Sequence, residues 1–130
     1  MFAIVSDIHS NLEAFTAVLE EIDRRGVQQI ICLGDVVGYG PNPMECLDLV
    51  AARCRASIMG NHDFAVFYEP FNFNSGAEQA CYWTRQTFEN DPDIERRAAR
   101  WKFTGRLPRN FQRLARRAGS GSFSKHLRVQ

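Results

Sequence analysis

Three short polar clusters in the first half of the chain carry residue types that bind metals. Asp7 and His9 stand two positions apart, Asp35 follows Gly34, and Gly60-Asn61-His62-Asp63 closes the series. A carboxylate and an imidazole together suit a borderline transition metal such as manganese, iron or zinc better than calcium. A strand-like spacing of two would put the Asp7 and His9 side chains on one side of the chain. Asp35, with two carboxylate oxygens, can bridge a pair of ions. The amide oxygen of Asn61 can ligate a hard or borderline cation, and His62 beside it is a candidate proton donor.

Each residue alone has a plainer role. An aspartate at a strand end commonly caps a helix, and a single histidine is commonly a hydrogen-bonded surface residue. Gly60 and Asn61 tolerate a left-handed turn, and glycines 34, 38 and 40 read as a permissive loop. The elements in front of the clusters change this reading. Residues 2–6 form a short apolar run with branched residues, which predicts a buried parallel strand. Asn11 can cap a helix with Leu12, Phe15, Val18, Leu19 and Ile22 on one face, stopped by Gly26. Val27 to Leu33 supplies a second strand. Asn42-Pro43 with Glu45 opens a second helix striped by Met44, Leu47, Val50 and Ala51, and Ser57-Ile58-Met59 supplies a third strand.

The resulting β-α-β-α-β order predicts a parallel sheet with helices on its faces. In such sheets ligands gather at the carboxyl ends of the strands, and all three polar clusters fall there. Further on, Ser75 with Glu78 can cap a helix in which Ala77, Cys81, Thr84 and Phe88 share a face, broken by Asn90-Asp91-Pro92. Residues 93–118 are arginine-rich with possible helical turns, and residues 119–124 are a Gly/Ser stretch.

Charge divides the 130 residues in two. Residues 1–95 hold all fifteen acids against five arginines, a net charge of −10, whereas residues 96–130 hold eleven basic residues and no acid. Such asymmetry marks a boundary or a tail. We therefore divide the chain at residue 90, with 91–130 as a basic tail whose composition is that of an out-of-frame or truncated product. The rival reading is an anionic partner such as nucleic acid, bound through arginines between 96 and 117 with Trp101, Phe103 and Phe111 interleaved. Cys32, Cys46, Cys54 and Cys81 lack C-x-x-C spacing and read as small buried thiols in a reducing, cytoplasmic setting. No apolar run is long enough to cross a bilayer, and the N-terminus lacks the basic region of a signal peptide.

The three clusters stand as Asp7-Ile8-His9, Gly34-Asp35-Val36-Val37 and Gly60-Asn61-His62-Asp63. In order and spacing they resemble the D-x-H, G-D-x-x and G-N-H-D/E blocks of the calcineurin-like metallophosphoesterases. Residues 34–43 are similar to a bacterial and archaeal subgroup of small predicted phosphodiesterases. The resemblance covers about residues 2–90. It implies the first half of a four-layer α/β/β/α sandwich, with the second sheet missing. It also implies a site for two divalent transition-metal ions (manganese, iron, zinc or nickel) acting on phosphate esters. Asp7 and His9 would hold the first ion, Asp35 would bridge, Asn61 would hold the second, and His62 would protonate or stabilise the leaving oxygen. Gly34, Gly60 and Asp63 would support these groups, Asp63 by fixing the loop or orienting a histidine.

The family pattern also needs a later histidine and a G-H-x-H block. After His62 the sequence offers only His126, with no second histidine near it. The second ion would then have only Asp35 and Asn61, too few donors for tight binding of a transition metal. Without a second sheet, an apolar sheet face would be left open, with Phe64, Val66, Phe67, Phe71 and Phe73 to cover part of it. Impaired hydrolysis, or a remnant that binds at most one ion, is the functional expectation.

Overall fold

The computed structural model describes residues 1–101. The elements run β1 (Phe2–Val5), α1 (Leu12–Arg24), β2 (Gln29–Cys32), α2 (Pro43–Arg53), β3 (Ala56–Ser57), α3 (Asn61–Phe67), α4 (Ser75–Glu89) and α5 (Ile94–Ala98). The three strands form one parallel sheet in the order β1-β2-β3, so the α/β architecture follows the pattern in the sequence. His126 lies outside the described residues.

Register separates the two faces of the sheet. Val5 pairs with Cys32 and Cys32 with Ser57, and all three side chains are buried. Ile4 pairs with Ile31 on the opposite face, where Phe2 and Ile4 are 58% and 57% exposed. The sequence leaves one apolar sheet face without a partner, and the fold has such a face. The apolar stripes of α1 and α2 join one core with the inward strand residues, including Phe15, Leu19, Leu47 and Val50, while among the described residues the other face stays open. The phenylalanine-rich segment does not close it. Phe67 is buried and stacks on Phe88 of α4 at 6.0 Å, whereas Phe71 is largely exposed and Phe64 is half exposed.

Local signals place most helix ends. The Asn11 side chain accepts from the Ala14 N–H at 3.0 Å, and Gly26 follows α1 at φ +68°, where a glycine relieves the left-handed turn. Two details differ from the sequence reading. Val18 faces solvent, 44% exposed, because residues 15, 19 and 22 already complete the buried stripe. The cap of α4 is Asn74, whose side chain accepts from Ala77 N–H, with Ser75 already inside the helix. The predicted α4 face of Ala77, Cys81, Thr84 and Phe88 is the buried one.

The packed body continues past residue 90. Asp48 on α2 accepts hydrogen bonds from the Trp101 indole N–H and from Arg97, both at 2.9 Å. Arg100 approaches the same carboxylate at 3.3 Å, and Arg97 also meets Asp91 at 3.1 Å. Trp101 is buried against Phe88. Among the described residues of the basic segment, Arg96, Arg97 and Arg100 are therefore each paired with an aspartate. No described helix is long and apolar enough to cross a membrane.

Candidate metal centre

The loops that leave the strands are tied to each other by backbone hydrogen bonds. Asp7 N–H donates to Gly34 C=O, His9 N–H to Asp35 C=O at 2.9 Å, and Ser10 N–H to Val36 C=O at 2.8 Å. This cross-loop ladder extends the β1–β2 pairing beyond the strands. Within it Asp7, His9 and Asp35 all adopt positive φ, between 48° and 56°. Strand alternation is thus not what brings Asp7 and His9 together, since β1 ends at Val5. Their side chains converge because the backbone is held left-handed, at a cost of about 1–2 kcal/mol per residue.

The convergence is tight. Ligand atoms of Asp7, His9 and Asp35 all lie within 4.8 Å of one another, and His9 Nε2 is 3.7 Å from an Asp7 carboxylate oxygen. His9 Nδ1 lies 3.2 Å from the Val37 carbonyl. A carbonyl can only accept, so Nδ1 donates this bond, and in the neutral ring Nε2 is the nitrogen left to ligate on the carboxylate side. A backbone carbonyl that fixes a tautomer in this way prepares a histidine to ligate a metal. Two carboxylates and an imidazole nitrogen fit a divalent borderline cation.

The third cluster is built differently from the turn that the sequence suggested. Gly60 caps α3, and Asn61 and His62 occupy its first positions. Asp63 is fully buried. Its carboxylate accepts from Val36 N–H at 2.9 Å, Val37 N–H at 3.0 Å and Gly60 N–H at 2.9 Å. It thereby ties the start of α3 to the loop that carries Asp35. Burial drives its pKa up to about 6, although the donors from Gly60 and Val37 pull the other way. His62 N–H completes the junction by donating to Asp35 Oδ1 at 2.8 Å. Asn61, exposed, opens the same helix.

Two glycines permit this junction. A Cβ on Gly34, which sits at φ +95°, would strike the backbone of Gly60. A Cβ on Gly38, at φ +98°, would come within 2.7 Å of His62 Nδ1. Gly34 and Gly38 are therefore close-approach positions as well as permissive ones. His62 is only 7% exposed, ringed by Tyr39, Phe73 and His9 with centroids 4.7–4.8 Å away. Burial pushes its pKa below the ordinary value, and His9 adds to the shift against a smaller pull from Asp35 and Asp7. The ring is then neutral at neutral pH.

The sequence did not place Tyr39 at the site, and offered Phe73 only as cover for the open sheet face. The one signal for Tyr39 was its place between two glycines, which presents a half-exposed ring beside His9 and His62. None of the four cysteines is bonded, and none joins the cluster. Burial pushes Cys46 and Cys54 up to about 12, which keeps both as thiols.

Known proteins share this chain's sequence pattern and fold. The chain is 46% identical over 93 residues to MJ0912, an uncharacterized protein of Methanocaldococcus jannaschii, covering 70% of this chain and 38% of that protein. It also superposes on the crystal structure of a metallophosphoesterase from Sphaerobacter thermophilus with a TM-score of 0.55 and 35% identity. That match covers 88% of this chain and 39% of the other. The chain thus spans about two fifths of the length of both relatives. Residues 1–116 match the family described as calcineurin-like phosphoesterase, and the chain belongs to that family.

Proposed function

We propose that this chain carries the first metal-binding half of a phosphoesterase centre, holding one divalent ion through Asp7, His9 and Asp35. The observation that carries this reading is the convergence of those three ligand atoms within 4.8 Å at the carboxyl ends of β1 and β2. Family membership makes a phosphate ester the substrate class. A bound divalent cation would polarise the phosphoryl group and lower the pKa of a water toward neutrality. Asp7, His9 and Asp35 would fix its position. Asn61 would add an amide oxygen on the α3 side, and His62 would donate a hydrogen bond to the leaving oxygen. Gly34 and Gly60 would let the two loops meet, with Asp63 holding them together.

A second ion fits poorly. Beyond the shared Asp35, the proposed donors on that side reduce to Asn61, too few to hold a transition metal tightly. The chain by itself therefore binds one ion and turns over slowly. With manganese present, hydrolysis of an aryl phosphodiester is expected near background. Manganese binding in a calorimetric titration is expected near one equivalent and about 100-fold weaker in Asp35→Ala. Robust turnover abolished by Asp35→Ala or His62→Ala would overturn the one-ion reading. Undiminished manganese binding by Asp35→Ala would overturn the assignment of the site.

A further inference from the structure

The helix that presents Asn61 and His62 has only seven residues, and a helix that short has little stability of its own in water. Its first turn is held by Asp63 and by the His62 N–H bond to Asp35. Its other end is packed into the core through Ala65, Val66 and Phe67, and its carbonyls are taken up by one side chain from another helix. Arg85, in the middle of α4, donates from Nε to Val66 C=O at 2.9 Å. From Nη2 it donates to Ala65 C=O at 3.1 Å and Tyr68 C=O at 2.6 Å. Carbonyls in the last turn of a helix have no partner within that helix, and a planar guanidinium with several donors can satisfy more than one at once. The Arg85 side chain is largely buried, with Glu69 at 3.5 Å. Its own helix is anchored by the Asn74 cap and by buried Ala77, Cys81, Thr84 and Phe88.

We propose that Arg85 is a positioning residue of the metal centre, acting through α3 on Asp35, Asn61 and His62. The proposal rests on the reading of Asp7, His9 and Asp35 as metal ligands. Both ends of α3 are clamped, one to the Asp35 loop and the other to α4, so the helix has no freedom to slide along its axis. Releasing the Arg85 end lets α3 shift or fray. The first contact to feel this is the His62 N–H bond to the Asp35 carboxylate, which orients a metal ligand. A lysine has one nitrogen and cannot span the three carbonyls as the guanidinium does.

The test uses the full chain with manganese as the probe, in wild type, Arg85→Met, Arg85→Lys and the core control Val50→Ala. Val50 is buried on α2, away from the clamp. Arg85→Met is expected to weaken manganese binding about 10-fold, the scale of losing a group that orients a ligand. It should also speed amide exchange at His62 N–H by about 10-fold relative to α1 amides such as Leu19. Arg85→Lys should recover part of both effects. Val50→Ala should lower the melting temperature while leaving manganese affinity within about twofold. Equal loss of manganese affinity in Arg85→Met and Val50→Ala, or no selective change at His62 N–H, would overturn the proposal. If Arg85→Met does not fold, Arg85→Lys decides by the same two readouts. If wild type binds no manganese, the metal assignment fails, and exchange at His62 N–H still decides the role of Arg85.

Discussion

The loops after β1 and β2 hold five non-glycine residues at positive φ (Asp7, His9, Ser10, Asp35 and Tyr39), whereas α4 and α5 hold none. The helical side obeys local rules, with a capping asparagine, a buried stripe and a C-terminal stop. The loop side breaks them, and is held by hydrogen bonds between segments far apart in sequence. His9 meets Asp35, Ser10 meets Val36, and Asp63 meets Val36 and Val37. Backbone strain is thus concentrated where the candidate ligand side chains converge, and the cross-loop bonds make it tolerable.

Two perturbations of stability follow, one on each side, with a third as reference. Asp63→Ala should have the largest effect, since it strips an acceptor from three backbone N–H groups around a fully buried position. A loss of about 4 kcal/mol is expected in urea unfolding. A loss under about 1 kcal/mol would mean that the loops hold their conformation without this tie. Asp48→Ala, on the helical side, removes the acceptor shared by Trp101 and Arg97. That carboxylate is partly exposed, so solvent moderates the cost to about 2 kcal/mol. Loss of a Trp101 fluorescence difference between folded and unfolded chain would show residues 91–101 detached. Val18→Ala, on the exposed side of α1, should change stability by less than about 0.5 kcal/mol. A larger loss would place Val18 in contacts that its exposure denies.

Much of the fold was legible because local periodicity and the core agree. The α4 stripe of Ala77, Cys81, Thr84 and Phe88 follows a 3.6-residue period, and each member is buried. The first two strands and helices emerged for the same reason. The third strand starts one residue earlier and ends two residues earlier than the sequence suggested, since β3 pairs at Ala56 and Ser57 while Ile58 makes only one further bond to Cys32. Helix α3 was hidden. Asn-His-Asp reads as turn chemistry, and what makes it helical is the Asp63 side chain reaching back to Gly60 together with the remote Arg85 clamp.

The residue types of the candidate centre were set by sequence alone. Aspartate, histidine and asparagine at the ends of successive strands define which atoms are available, and strand order defines the edge on which they gather. What only the tertiary structure decided is how they converge. The left-handed backbone at Asp7, His9 and Asp35 is a high-energy local choice that local sequence does not predict, stabilised by hydrogen bonds closed over nearly thirty residues of chain. The same holds for the tautomer of His9, which the Val37 carbonyl selects, and for the reach of α3, which Asp63 and Arg85 set from opposite ends. A bond between distant segments depends on the position of both partners. That information exists only once the chain has folded.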